Sequence, residues 1–322
     1  MFEYIITRPM GYIIEFIYNL VQNYGIAIIL FTIVIKMLLF PLNVKSQKAM
    51  RKQQKIQPIM QELQKKYAND KEKLNREMMK LYKENNISMS GGCLPMLIQM
   101  PILIGLYQVI QKPLSFLLHV DWSAPDVINR VKALRDTYAQ GALASRTMEQ
   151  LANMNQMNIS QWAAQAGQTD WVINFKMFFM DLANVPSTAI NYLGEIAQGN
   201  FEHLSVVLLL LIPVLAILSS IGSMKLSQAM TGQKKDKSQK SAEENTATQM
   251  SNTMMWMMPV MTGFFTFTLP AGIGLYWIIS SVLQIVQQVG LNIYFNKKKE
   301  DEVIVTIPES RQNSGKKRKK HR

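Results

Sequence analysis

The residue most capable of chemistry, and least expected in its surroundings, is Lys36. It lies within the apolar stretch 24–43, and about 20 such residues suffice for an α-helix to cross a bilayer. An ammonium at membrane depth costs about 2.5–3.5 kcal/mol, which the surrounding Ile, Leu, Val and Phe residues offset. Thr32 lies one turn earlier on the same helix face. These residues predict a cationic site inside the membrane; the alternative is a lysine that only snorkels toward water.

Other apolar stretches also carry polar side chains, many of them spaced by one helical turn. Besides Thr32, the candidate site residues are Gln99, Tyr276, Ser280 and Gln284, and Gln288 continues the same stripe one turn further on. Such side chains can simply join neighbouring helices by hydrogen bonds. However, no apolar stretch contains Asp or Glu, so Lys36 has no acidic partner at membrane depth. We therefore expect a hydrated, positively charged groove, open to the cytoplasm, that attracts a visitor carrying negative charge.

The sequence carries no motif for covalent catalysis. Cys93 is the only cysteine, which excludes a disulfide within one chain, and the three histidines are far apart in sequence. There is no P-loop, nucleophile elbow or metalloprotease helix. We therefore expect no enzymatic activity, no metal site and no cofactor, and we also expect no cleavable signal peptide.

Positive charge alternates along the chain with the apolar stretches. The net charge is +13 over 322 residues, 48% of them hydrophobic. Lys and Arg concentrate in segments 44–92, 225–253 and 297–322. This positive-inside pattern predicts a multi-pass protein with its N-terminus outside and its C-terminus in the cytoplasm. The five predicted spans are residues 24–43, 93–118, 203–224, 254–270 and 273–296.

Two segments on the N-terminal side of the chain are expected to form helices outside the hydrocarbon. Residues 1–23 contain an amphipathic helix that suits the outer membrane surface, or else extends the first span. Residues 44–92 carry two apolar stripes at helical spacing. They predict a cytoplasmic helical hairpin, with Pro58 bending or interrupting its first helix; the alternative is a charged linker.

The remaining segments are an enlarged outer loop, 119–202, and two basic cytoplasmic segments. Within the outer loop, residues 171–180 are too short and too polar to cross, so we expect an interfacial helix there. The loop 225–253 is expected to be disordered. The tail 297–322 is a candidate handle for RNA or anionic lipid.

Five stretches carry a more specific signal. They are FTIVIKMLLFPLNVKSQ (31–47), KIQPIMQEL (55–63), NREMMKLYKENNISMSGGCLPMLIQMPILIGLYQ (75–108), DWSAPD (121–126) and LPAGIGLYWIISSVLQIVQQ (269–288). They resemble the YidC/Oxa/Alb family of membrane protein insertases. The resemblance implies a five-helix transmembrane core around a hydrophilic groove, closed outside and open to cytoplasm and lipid.

The resemblance also implies how individual residues act. In the family, a basic residue of the first span recruits the polar part of a nascent chain, which then slides into the bilayer. Lys36 stands where the family usually has arginine, and lysine keeps the charge but lacks the planar fork. Thr32 matches a groove position, and Tyr276 with Trp277 matches an aromatic pair that meets substrate. The chain departs from the family in segment 127–202, which looks inserted, and in its third span, which matches poorly.

Together these observations predict an all-α, polytopic insertase and chaperone of the bacterial plasma membrane. Its expected partners are nascent membrane-protein chains and membrane lipid. The resemblance adds the ribosome, through the basic tail and loops, and the general translocation channel. The rival interpretations are an anion transporter that uses Lys36 and a purely structural membrane scaffold.

Overall fold

The computed structural model describes residues 3–68, 70–85, 87, 94–140, 143–154, 156–230 and 246–297. Most of these residues are helical. The chain divides into two compact units. Unit 1 comprises Met1–Met37, Gln99–Ser223 and Met255–Gln284, and unit 2 comprises Leu38–Ile98, Met224–Met254 and Ile285–Arg322. Most of the predicted basic loop, residues 231–245, and the basic tail beyond Lys297 lie outside the described residues.

The helices and two short strands follow in this order along the described residues. A π-helical turn, Glu3–Thr7, precedes α1 (Arg8–Val21), α2 (Tyr24–Leu38), α3 (Phe40–Lys66), α4 (Lys71–Glu84), α5 (Leu94–Gln111), α6 (Pro113–Leu117), α7 (Pro125–Tyr138), α8 (Met148–Met154) and α9 (Gln156–Gln165). After the strands β1 (Lys176–Met177) and β2 (Met180–Asp181) come a 3₁₀ helix (Pro186–Tyr192), α10 (Leu193–Ala197), α11 (Leu204–Val207), a 3₁₀ turn (Leu208–Leu210), α12 (Leu211–Met230), α13 (Thr246–Thr268) and α14 (Ala271–Lys297).

Within the described residues, two helical stretches are long and apolar enough to cross a membrane, Leu204–Ser227 and Ala271–Lys297. They overlap the predicted third and fifth spans. Helices α2 and α3 would supply another if they count as one span across the break at Leu39. The all-α membrane architecture is therefore confirmed, whereas the five-span arrangement stays a prediction.

The predicted second span is divided in the structure. The backbone at Lys112 leaves the helical conformation, so α5 ends at Gln111 and α6 begins at Pro113. The proline ring disfavours helical geometry in the residue before it, which explains the break. Lys112 donates a hydrogen bond from Nζ to the Asn153 side-chain oxygen at 2.9 Å.

Unit 1 has one hydrophobic core, and the predicted outer loop is part of it. Buried residues of α2 and α5, including Phe31 and Ile110, belong to the same cluster as Val131 of α7 and Trp162 of α9. Helix α1 joins this core by one face only, while Tyr12, Phe16 and Leu20 on its other face are exposed. The described residues of 119–202 are thus a folded part of the helical unit.

The prediction of an interfacial helix over residues 171–180 is wrong. The chain there is extended and then turns back, with Lys176 opposite Asp181 in an antiparallel pair. Trp171, Ile173 and Phe175 are buried while the residues between them are exposed, which is the two-residue alternation of a strand.

Carbonyl groups of this extended segment and of the residues just after it accept hydrogen bonds from the first turns of two helices. The Tyr24 N–H at the start of α2 donates to the Asn174 carbonyl at 2.9 Å. At the start of α14, the Ala271 N–H donates to the Asn184 carbonyl at 2.9 Å and the Gly272 N–H to the Leu182 carbonyl at 3.0 Å. Because first-turn N–H groups have no partner within their own helix, the segment satisfies donors that would otherwise need water.

Arg130 ties α7 to the chain that follows α9. Its guanidinium lies 3.9 Å from the Trp171 ring centroid and donates to the Gln168 side-chain oxygen at 2.8 Å. It also donates to Asp170 Oδ2 at 2.6 Å, and this hydrogen bond lowers the pKa of the Asp170 carboxyl.

In unit 2, α3 and α4 share a separate small core built around Ile56, Leu63, Leu81 and Tyr82. Helix α3 continues through Pro58, so an interruption at this proline is wrong, while a bend there stays a prediction. The side chain of Asp70 caps α4 by accepting the Lys73 N–H at 3.0 Å.

The first turns of α3 also contact the last turns of α14 in unit 2. The Asn43 side-chain amide donates to the Gln287 side-chain oxygen at 3.4 Å, and Arg51 hydrogen-bonds the Asn292 side chain. The Arg51 guanidinium also lies 4.7 Å from the centroid of the buried Phe295 ring.

Candidate functional site

Helix α2 has one exposed apolar face and one buried face. Its exposed stripe consists of the large apolar residues Ile26, Leu30, Val34 and Met37. Tyr24, Ile28 and Phe31, on other sides of the helix, are fully buried in the core of unit 1. At about 100° per residue, Lys36 lies about a third of a turn from the exposed stripe.

Lys36 lies near the end of the buried face of α2, where side chains become more exposed. One turn earlier Thr32 is fully buried, whereas Lys36 is half-buried. Within the part of the chain that the structure describes, the Lys36 ammonium has neither a hydrogen bond nor an ion pair. The charge is therefore held on the protein side of the helix with no built-in partner.

Thr32 occupies the predicted face but its hydroxyl is already used. The Thr32 Oγ1 donates to the Ile28 carbonyl of the same helix at 2.6 Å. This back-bonding is the usual solution for a threonine hydroxyl in an apolar helix. Thr32 is therefore a buried neighbour of Lys36 whose hydroxyl hydrogen is already donated within its own helix.

Helix α14 shows the same division, with polar residues opposite apolar ones. Its exposed apolar stripe consists of Val282, Val286 and Ile293. Gln284 lies about 200° around the helix from Val282 and is also exposed. The exposed residues of α14 therefore include an apolar stripe and, on the opposite side, the polar residue Gln284.

The neighbours of Gln284 on its own face are buried. Ser280, one turn before it, is 8% exposed, and Gln288, one turn after it, is also 8% exposed. The Gln288 Oε1 is buried without a hydrogen-bond partner in the described structure. A buried amide oxygen without a partner is energetically costly.

Tyr276 and Trp277 lie about one turn before Ser280, nearer the start of α14. Tyr276 is 2% exposed and belongs to the core of unit 1, while Trp277 is half-buried against that core. The Trp277 ring stacks on Phe265 of α13, with centroids 6.2 Å apart and planes at 7°. Phe265 was not singled out in the sequence, since nothing in its local pattern distinguishes it from other aromatic residues of this stretch.

The structure places six of the seven predicted site residues on two helices of unit 1. Thr32 and Lys36 belong to α2, whereas Tyr276, Trp277, Ser280 and Gln284 belong to α14. Buried residues of both helices share one core. The side chain of Gln99 lies outside the described residues. Across the described ranges, no three His, Cys, Asp or Glu side chains are placed to hold a metal ion.

Comparison with known proteins gives this arrangement a family. The sequence model of the 60Kd inner membrane protein family matches residues 16–299. A membrane protein insertase YidC from Syntrophobacter fumaroxidans is 30% identical over 293 residues, which cover 89% of this chain and 38% of that protein.

Shorter regions match at higher identity. A membrane protein insertase YidC from Nitratidesulfovibrio vulgaris is 45% identical over 124 residues, covering 37% of this chain and 23% of that protein. Another, from Syntrophus aciditrophicus, is 50% identical over 105 residues, covering 33% of this chain and 19% of that protein. The chain spans between about a fifth and two fifths of the length of these relatives.

The family match covers most of the chain, including α2, α14 and the whole segment between them. It agrees with the apolar helical stretches of the structure and with the resemblance seen in the sequence. The chain therefore belongs to the 60Kd inner membrane protein family and is an all-α integral membrane protein of the bacterial inner membrane.

Proposed function

We propose that this chain is a membrane protein insertase and chaperone that moves nascent membrane proteins from the cytoplasm into the bilayer. The observation that carries the proposal is Lys36, a half-buried cation without an ionic partner among the described residues, on the protein side of an apolar helix. The curated relatives that match the chain are named membrane protein insertase YidC, which agrees with this activity.

The proposed site is a hydrated groove lined by α2 and α14, open to the cytoplasm and to lipid. Exposed Gln284, opposite the apolar stripe of α14, supports a second, polar medium inside the protein. Water at Lys36 would relieve the cost of an unpaired ammonium at membrane depth. Tyr276, Trp277, Ser280 and, by the sequence, Gln99 complete the proposed lining.

The mechanism follows from these two media. A polar segment of the substrate, especially one with carboxylates, is drawn to Lys36 and is kept hydrated in the groove. The apolar segment next to it meets the lipid side and partitions there, gaining about 0.8 kcal/mol for each buried CH₂ group. The groove lowers the barrier for the polar segment to cross, and no covalent bond is made or broken.

The rest of the proposed architecture is a five-helix core with the N-terminus outside. The small core shared by α3 and α4 supports a helical hairpin, which on the charge pattern lies in the cytoplasm. The basic loop 225–253 and tail 297–322 would attract ribosomal RNA or anionic lipid. The ribosome and the general translocation channel are therefore proposed partners, besides the nascent chain and lipid.

Reconstitution tests the activity directly. Proteoliposomes that contain the purified full chain should protect a single-span substrate with an acidic N-terminal tail from added protease, and protein-free liposomes should not. The same vesicles should show no accelerated uptake of chloride or phosphate. Anion uptake without substrate protection would assign the protein to the transporter class, and neither activity would favour a scaffold.

A further inference from the structure

The turn between β1 and β2 exposes two aromatic side chains. Phe178 is 88% exposed and Phe179 is 54% exposed, which makes this tip one of the most apolar exposed points of the 119–202 segment. The turn has only these two residues, because Lys176–Met177 pairs directly with Met180–Asp181. A polar or glycine-containing pair is the ordinary choice for such a turn in water.

The backbone of the turn makes this choice more unusual. Phe178 has a φ of 56°, in the left-handed region, where a bulky residue without a polar side chain is a genuine outlier. A two-residue turn with a positive φ at its first central position favours glycine there. The chain therefore holds a large apolar side chain at a position that both the backbone and an aqueous setting disfavour.

The tip is fastened beside the N-terminal ends of two apolar helices. The Asn23 side-chain amide, just before α2, donates to the Lys176 carbonyl at 2.8 Å. Directly after the other strand, the Leu182 carbonyl accepts the Gly272 N–H in the first turn of α14. Since an extended chain advances about 3.3 Å per residue, Phe178 reaches no farther than about 7 Å from Lys176.

A close approach of side chains fixes the hairpin to α2. A Cβ atom on Gly25 would lie 2.7 Å from the Met177 sulfur and 2.8 Å from Leu182 Cδ1. The exposed apolar stripe of α2 starts at the next residue, Ile26, which is 43% exposed. The tip therefore lies close to the end of α2 at which the exposed apolar stripe of that helix begins.

From these positions we propose that Phe178 and Phe179 insert into the lipid leaflet that surrounds the N-terminal ends of α2 and α14. The occupant of this apolar tip is lipid, because its hairpin is hydrogen-bonded to Asn23 and packs on Gly25, at the end of α2 where the exposed apolar stripe of that helix begins. Aromatic rings suit the boundary between headgroups and acyl chains, about 5–10 Å below the surface. The hairpin then anchors the 119–202 segment to the bilayer surface.

The test labels the tip in the full chain after reconstitution. In a Cys93→Ser background, Phe178→Cys carries an NBD fluorophore in vesicles of phosphatidylethanolamine and phosphatidylglycerol. We expect emission shifted to the blue, quenching by lipids with a nitroxide near the headgroup, and weak quenching by iodide in the buffer. Phe179→Cys provides a second labelled position if the first variant does not fold.

Gln165→Cys, at the exposed end of α9 in the same segment, is the matched control. Its probe should be quenched by iodide and little affected by nitroxide lipids, with a difference of about twofold or more from the tip. Iodide quenching of the tip as strong as that of the control would overturn the proposal. Equal lipid quenching at both positions would overturn it too, because the whole segment would then lie on the membrane without a specific anchor.

Discussion

Removing the charge of Lys36 should impair insertion of substrates with acidic tails and spare neutral ones. Two unit charges 4 Å apart attract by about 1 kcal/mol in bulk water and about 4 kcal/mol at an effective dielectric constant of 20. Because Lys36 is only half-buried, we expect the attraction between its charge and a substrate carboxylate to be closer to the value in water. A loss of about 1–2 kcal/mol corresponds to a decrease of roughly 5- to 30-fold.

The assay is a double-mutant cycle that changes Lys36 in the protein and the acidic residues in the substrate tail. Lys36→Ala and wild-type chains are reconstituted at equal density, and the initial rate of substrate protection is measured for a single-span substrate with Asp and Glu in its tail. The same substrate with Asn and Gln at those positions completes the cycle. The decrease caused by Lys36→Ala should appear with the acidic tail and disappear with the neutral tail, and Lys36→Arg should keep the rate near wild type.

Lys112→Ala is the matched control, because it removes the same charge at the end of another apolar helix. Lys112 is hydrogen-bonded to Asn153 and is not among the proposed lining residues. Insertion should therefore change little. If Lys36→Ala slowed acidic and neutral substrates equally, the lysine would act through folding or packing, and attraction of substrate charge would be refuted.

Three further predictions concern stability. Asp170→Asn should lower the melting temperature slightly at pH 7, since an exposed ion pair with Arg130 contributes about 0.2–1 kcal/mol. This difference should begin to shrink as the pH falls below about 4 and should vanish below the lowered pKa of Asp170. Gly25→Ala should destabilise the chain by about 1–3 kcal/mol, because its Cβ would lie 2.7 Å from the Met177 sulfur. Leu81→Ala, at a fully buried position, should cost about 2–5 kcal/mol locally and speed amide exchange in α3 and α4.

The first of these predictions is checked by its pH dependence, and the other two by control variants of the same chain. For Asp170, the sign follows from linkage: its folded pKa is depressed, so its contribution is present above the unfolded pKa and is lost as pH falls through the folded value. Gly194→Ala, with no atom within 4 Å of the added Cβ, should be neutral or stabilising. Met79→Ala, at a 49% exposed position, should leave amide exchange unchanged. Equal effects in a variant and its control would contradict the packing argument.

The helical character of the chain followed from local information. Apolar runs and the stripe of α1 predict helices because a 3.6-residue period places those residues on one face. The same reasoning failed at residues 171–180, where Trp171, Ile173 and Phe175 alternate with exposed residues. That alternation was visible in the sequence, but a short apolar run is ambiguous between helix and strand.

The candidate site was only partly predictable. Lys36 stood out because charge within an apolar run is rare, and the helical repeat placed Gln284 and Ser280 on one face. The break at Lys112 could have been read from Pro113, since a proline restricts the residue before it. The stacking of Trp277 on Phe265 could not be predicted from the sequence, because it joins two helices whose rotation about their axes depends on how they pack.

By itself the sequence determined that this protein is helical and lies in a membrane, because hydropathy, helical period and charge are properties of neighbouring residues. Only the tertiary structure decided that residues 119–202 join the core of unit 1 and close the first turns of α2 and α14. Those contacts join residues far apart in the chain, such as Tyr24 with Asn174, and backbone hydrogen bonds leave no trace in side-chain identity. The same holds for Phe178, whose exposure depends on where its hairpin is fastened.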